Sequence, residues 1–154
     1  IWDSANNLLL EIMKMAAKIK ISIQLHVEDN GKKTYSDLAK LCDEAGLPRH
    51  LAIRHYAPAN IRSDFTQGLS VSVSVGKGSI SEIVESLPYC DSYWGMETDF
   101  LDDKNRPGAV LGPKTIPKRT QQLAEELTIS GYSSEQIDEI MENIHSTWPR
   151  ILYS

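Results

Sequence analysis

Cysteine, excess charge and long apolar runs are all scarce in this sequence of 154 residues. Its two cysteines, Cys42 and Cys90, are too few for the disulfide framework of a small secreted domain. No stretch approaches the roughly 20 apolar residues that a membrane-spanning helix needs. A formal net charge of -5 provides no overall positive field that would attract nucleic acid. We therefore expect a reduced, cytoplasmic, globular protein without a membrane partner.

Helical and strand patterns alternate along the chain. Apolar residues recur at helical spacing in residues 4–20, and residues 21–27 then alternate between apolar and polar side chains, as in a strand. The stretches 50–56, 69–75 and 93–100 complete four predicted strands, and two helices close the chain. This order predicts an α/β fold with parallel strands joined by helical crossovers. Such a sheet is either doubly wound or part of a (β/α)8 barrel.

Capping patterns predict where several helices begin and end. Gly46 is a suitable C-terminal stop for the helix that contains Leu38 and Leu41. Three Ser or Thr residues are followed three positions later by an acidic or amide residue, which predicts helix starts at the pairs Thr34–Asp37, Ser79–Glu82 and Ser133–Gln136.

Three side chains suited to metal binding lie at the predicted carboxyl ends of strands: His26, His55 and Asp99. In parallel α/β folds active sites are built at that edge. Two imidazoles and one carboxylate suit zinc, manganese or iron, and a bound metal can lower the pKa of its water. The alternatives are histidines with purely structural hydrogen bonds and a solvated acidic loop. His55 is the least regular of the three, because its parity partners Leu51 and Ile53 are apolar.

A glycine-rich stretch, VGKGS, offers a different kind of site. Gly76, Lys77, Gly78 and Ser79 follow one predicted strand and open the next helix. Backbone N–H groups there could bind a phosphate, with Lys77 alongside. The spacing of a full P-loop is absent, so a simple turn into a helix is the competing interpretation.

The strand segments resemble a known family. IQLHVED, AIRHYAP, GLSVSVSVG and YWGMETDF are similar, in order, to the last four strands of the TatD-related metal-dependent hydrolases, which are (β/α)8 barrels of the amidohydrolase superfamily. ENIHSTW resembles the closing pattern of that family, with Asn143 and Trp148 five residues apart. The segment METDFLDDKNRPGAVLGPKTIPKRT resembles an archaeal branch of predicted hydrolases. The resemblance implies that residues 1–154 form the C-terminal half of a TIM barrel, with the N-terminal half absent.

The resemblance also implies roles for individual residues. His26 and His55 would be ligands from the fifth and sixth barrel strands. Asp99 would bind the same divalent ion (zinc, manganese or magnesium), orient the attacking water and take its proton. Glu97 and Glu28 would support these ligands without binding the ion directly. The reaction would be hydrolysis of a phosphoester or amide-like bond, with a small molecule or a phosphoester as the substrate.

Departures from the family pattern leave other functions open. Glu28 stands where family nucleases carry an arginine, and a carboxylate repels phosphate unless it binds metal. Nucleic acid is therefore a possible substrate that the charge does not favour. The family's first-strand His-x-His pair and fourth-strand acid have no counterpart, and the chain begins at Ile1 without Met, which predicts an inactive fragment. The alternatives are a non-catalytic half-barrel that associates with itself or a partner half, and a phosphate-binding α/β protein.

Overall fold

The computed structural model describes residues 2–98, 112 and 114–154. Four strands form one parallel sheet in sequential order: β1 (Ile23–Leu25), β2 (Ala52–Ala57), β3 (Ser70–Ser74) and β4 (Trp94–Glu97). The predicted α/β fold with four parallel strands is confirmed. Because parallel crossovers are right-handed, a sequential order places the crossover helices on one face of the sheet. This is the arrangement of a barrel segment, whereas a doubly wound sheet reverses its strand order.

Seven α-helices lie within the described residues: α1 (Trp2–Ile19), α2 (Lys32–Ala45), α3 (Ser63–Thr66), α4 (Ser79–Ser86), α5 (Thr115–Ile129), α6 (Ser134–Glu142) and α7 (Trp148–Tyr153). Short 3-10 turns cover Arg49–Leu51 and Leu87–Tyr89, and a π-helical turn, Asn143–Thr147, joins α6 to α7. None of the helices in this described part of the chain is long and apolar enough to cross a membrane.

Glycines determine where two of the helices begin. α2 starts at Lys32 after Gly31, whose φ is 60°, so the predicted capping pair Thr34–Asp37 was wrong. The Thr34 side chain instead accepts from the Asn30 N–H at 2.9 Å and donates to the Glu28 backbone oxygen at 3.1 Å. α4 starts after Gly78 (φ 84°) without a side-chain cap, so Ser79–Glu82 was wrong as well. The capping box of Ser133 and Gln136 and the left-handed Gly46 stop are confirmed.

Two apolar clusters hold the helices to the sheet. The larger one lies on β2, β3 and β4 and includes the buried Val73, Trp94 and Leu123. The smaller one joins α1 and α2 to β1 through residues such as Met13 and Cys42. Most of the stability of these short strands therefore comes from the helices that cover them.

The C-terminal helix α7 contacts residues of both faces of the sheet, since its Trp148 packs against the larger cluster. Ile53 and Leu152 are both buried but belong to neither cluster. They line one small cavity together with Ser72, Gly95 and Tyr153. Ser72 alternates with the core residues Val71 and Val73, so α7 covers part of the face that points away from the helical layer.

Candidate metal centre

His26 and His55 lie next to each other at the carboxyl edge of the sheet. His26 follows β1 directly and is exposed, while the side chain of His55 in β2 is 20% exposed. Their ring centroids are 5.4 Å apart and the rings are tilted by 44°. Two imidazoles bound to one ion at about 2.0 to 2.1 Å place their centroids about 5 Å apart. The spacing of the two histidines therefore fits a shared cation.

Glu97 at the end of β4 holds His55 in place. Its Oε2 lies 2.6 Å from His55 Nδ1, and its Oε1 accepts the backbone N–H of Tyr56 at 2.5 Å. The carboxylate side chain is 12% exposed. An ionised carboxylate can only accept, so Nδ1 of His55 is the donor in this contact. In the neutral tautomer that carries its proton on Nδ1, the Nε2 lone pair is the one that could bind a metal. Gln24 from β1 makes a longer contact of 3.3 Å to the same ring nitrogen.

A β-bulge in β2 explains the irregular position of His55. Arg54 pairs with Val71, but Ala57 pairs with Val73, so β2 contains one extra residue between them. Tyr56 adopts the left-handed φ of 55° in this bulge. His55 can therefore face Glu97 and Gln24, while Ala57 returns to the core beside the neighbouring strand. Bulges often re-aim a side chain at an active site in this way.

Of the predicted site residues other than the two histidines and Glu97, only Glu28 and the turn at residues 76–79 lie in the described part of the chain. Asp99 lies outside the described residues, and its role stays a prediction. Within the described residues, no group of three or more His, Cys, Asp or Glu side chains is arranged to hold a metal ion. Glu28 is exposed and lines a groove between α1 and α2. It lies beyond the end of β1, where strand alternation no longer determines its direction.

In the glycine-rich turn before α4, the Gly76 N–H and the Ser79 hydroxyl make hydrogen bonds within the turn itself. The Gly76 N–H donates to the Ser74 backbone oxygen at 3.0 Å, and the Ser79 hydroxyl donates to the Gly76 backbone oxygen at 2.9 Å. Lys77 and Gly78 are exposed. A phosphate bound here would have to compete with these turn contacts, and phosphate binding by residues 76–79 stays a prediction.

Two residues near the centre did not emerge from the sequence patterns. Arg54 is buried next to His55, and Tyr153 of α7 lies close enough to Glu97 to respond to its charge. Burial raises the pKa of Tyr153, and the Glu97 carboxylate raises it further. The only sequence signal for Arg54 is a charged residue inside the otherwise apolar stretch LAIRHYA. Nothing in the spacing connects Tyr153 with residues more than 50 positions earlier.

Comparisons with known proteins agree with the α/β fold of four parallel strands. The family model described as TatD related DNase matches residues 2–148. A protein of Methanocaldococcus jannaschii, named as the uncharacterized protein MJ1127, is 28% identical over 126 residues. The aligned segment covers 82% of this chain and 43% of that relative, so the chain spans less than half of its length. No solved structure matches the chain significantly. Because the family match extends over nearly the whole sequence, this chain belongs to the family of TatD-related DNases.

Proposed function

We propose that residues 1–154 form the C-terminal half-barrel of a metal-dependent hydrolase, with His26, His55 and Asp99 as ligands of one divalent ion. The observation that carries this proposal is the pair of histidines at the strand ends, one of them oriented by Glu97. Membership of the TatD-related family supports a hydrolase, since hydrolases of this family generally depend on divalent metals. Zinc, manganese and magnesium all remain candidates, and zinc or manganese suits the imidazoles best.

The residues of this chain would act by positioning. Glu97 would keep the Nδ1–H of His55 occupied, which would leave the Nε2 lone pair for the ion. A bound divalent ion would supply a water of lowered pKa and would polarise the substrate. Asp99 would orient that water and accept its proton during attack on a phosphoester or amide-like bond. Since the relative is more than twice as long as the aligned segment, further ligands would come from another half, and this chain alone would be inactive.

The cellular setting belongs to the same proposal. Both cysteines are unpaired, and burial raises the pKa of the Cys42 thiol to about 11. Such a thiol is unreactive at neutral pH, as expected for a structural cysteine in the reducing cytoplasm. The family name favours a nucleic-acid substrate, whereas the net charge of -5 supplies no general attraction for one.

Zinc binding to the 154-residue chain tests the metal centre. We expect the unaltered chain to bind one zinc ion, and we expect His26→Ala and His55→Ala each to weaken binding at least about tenfold, or 1.4 kcal/mol. Isothermal titration calorimetry after treatment with a chelator would measure this. The control is His145→Ala, because His145 contacts Thr120 on α5 and not the two histidines. Zinc affinity unchanged in His55→Ala would contradict the proposal.

We further propose that α1 carries an interface for a second half-barrel, either another copy of this chain or a preceding segment of a longer one. Four apolar side chains at helical spacing are 45% to 67% exposed on α1: Leu8, Ile12, Met15 and Ile19. Among the described strands, β1 pairs only with β2, so the edge next to this helix is open. Exposed apolar stripes and open strand edges are typical of surfaces that bind another chain.

Sedimentation equilibrium tests the interface on α1. We expect the unaltered chain to form dimers and the double variant Ile12→Lys/Met15→Lys to be monomeric, because two buried apolar contacts would become charged. Ile129→Lys is the matched control, since Ile129 is exposed on α5 outside the stripe. An unaltered chain that stays monomeric up to millimolar concentration would rule out self-association.

A further inference from the structure

Arg54 is a buried cation at the carboxyl end of β2. The residue is 3% exposed, its Nη1 donates to the backbone oxygen of His55, and its Nε has no hydrogen-bond partner. Among the residues that the structure describes, no carboxylate forms an ion pair with this guanidinium. A buried charge without a partner is strongly destabilising, so a guanidinium in this position needs an anion.

Tyr35 on α2 does not provide that anion. Its hydroxyl is buried without a hydrogen-bond partner, and Arg54 is close enough to influence its ionisation. Burial raises the pKa of Tyr35, and the Arg54 charge opposes this shift only in part. The phenol is therefore neutral at physiological pH and does not compensate the charge of Arg54.

The space next to Arg54 can hold an anion. Arg54 lines a cavity of about 390 Å³ at the carboxyl ends of β1, β2 and β3, and His26 and Ser74 line the same cavity. Asp29 is the one described carboxylate in the lining, and its Oδ1 accepts the Gly31 N–H at 2.8 Å. The Asp29 carboxylate thus makes a hydrogen bond within its own loop, and no ion pair joins it to Arg54 among the described residues.

Glu28 does not line the cavity next to Arg54. Its side chain lines the separate groove between α1 and α2, together with Leu9 and Leu41, and it is not part of the cavity that Arg54 lines. A phosphate in the Arg54 cavity would therefore not be in direct contact with the Glu28 carboxylate.

We propose that Arg54 binds a phosphate group of the substrate in the cavity that it shares with His26. Nε and Nη2 have no acceptor among the described residues, and together they form one edge of the guanidinium. That edge matches two oxygens of one phosphate, and the Ser74 hydroxyl adds a donor on the cavity wall. The inference rests on the proposed hydrolase, since it places the phosphate beside a metal ligand and names a phosphoester as the substrate class.

Phosphate titration of the unaltered 154-residue chain tests this directly. With a chelator present, inorganic phosphate should shift the Nε–H nuclear magnetic resonance signal of Arg54 saturably. The Nε–H signal of Arg62, which stacks on Tyr89, serves as the internal control. If saturating phosphate leaves the Arg54 signal unmoved, or if acetate at equal ionic strength moves it as far, the phosphate site is wrong. This measurement needs no substitution at a buried position.

A pair of charge-conserving variants measures the contribution of the guanidinium. Arg54→Lys should weaken phosphate binding about tenfold, because an ammonium cannot bind two oxygens side-on. Arg62→Lys should bind phosphate as the unaltered chain does. Equal phosphate affinity in Arg54→Lys and the unaltered chain would overturn the proposal. Zinc binding without phosphate binding would reject the Arg54 site alone, whereas phosphate binding without zinc binding would reject the proposed hydrolase.

Discussion

The β1 edge and the β2–β4 part of the sheet, called here the β1 side and the β2–β4 side, position their histidines in different ways. On the β2–β4 side, strands of four to six residues cover the larger cluster, and Glu97 contacts both His55 and Tyr56. On the β1 side, the strand has three residues, His26 is exposed, and α1 leaves an apolar stripe uncovered. His55 is therefore held by a hydrogen bond to Glu97 on β4. His26 is exposed and has no comparable contact in the described part of the chain.

Of the two histidines in the candidate centre, only His55 has its ring orientation determined by a described carboxylate. The orientation of His55 depends on a carboxylate from β4, two strand positions away across the sheet. His26 has only a ring contact with His55 at 5.4 Å in the described part of the site. A metal would therefore meet one imidazole oriented by a carboxylate and one exposed imidazole, and covering the β1 side with another half-barrel would reduce that asymmetry.

The largest expected effect comes from removing the carboxylate that holds the β2–β4 side. Glu97→Ala should lower the free energy of unfolding by about 2 kcal/mol, because His55 Nδ1–H and the Tyr56 N–H both lose their acceptor. Gln24→Ala, on the β1 side, should change it by less than about 0.5 kcal/mol, since its contact is long and exposed. Urea unfolding followed by circular dichroism measures both variants. An equal decrease in the free energy of unfolding in both variants would contradict the proposed difference between the two sides.

A smaller effect is expected at the bulge that aims His55. Tyr56→Gly should be more stable than Tyr56→Ala by about 1 kcal/mol, because a side chain with Cβ is strained at a left-handed φ. At an ordinary strand position glycine would be the less stable of the two. The same unfolding experiment gives the sign, and an alanine variant more stable than the glycine variant would mean that the bulge is not maintained in solution.

Much of this architecture could be predicted from local patterns. The alternation in LSVSVSV matched β3, and the position of His55 at a strand end followed from the predicted strand 50–56. The capping box at Ser133 formed as expected, since both partners lie within one helical turn. The starts of α2 and α4 were predicted wrongly, because Gly31 and Gly78 precede these helices with positive φ values. Glycine populates positive and negative φ about equally, so the sequence does not reveal which value it adopts.

The contacts of the candidate centre could be predicted only in part. Glu97 was expected to support the ligands, but its contact with the Tyr56 backbone depends on a bulge that the sequence does not mark. Arg54 looked like an ordinary strand residue, because burial and missing partners are properties of the packed structure. Glu28 was expected to support the ligands, and that role stays a prediction; its side chain lines the groove between α1 and α2.

By itself, the sequence determined the order of helices and strands, the parallel sheet and the strand ends at which His26 and His55 lie. Periodicity within short segments encodes these features, since each depends on residues a few positions apart. Only the tertiary structure decided which charges meet across the sheet: Glu97 with His55, and Arg54 without a described counter-ion. Those outcomes depend on strand register and on a single extra residue in β2, and both are settled by packing between segments that lie far apart in the chain.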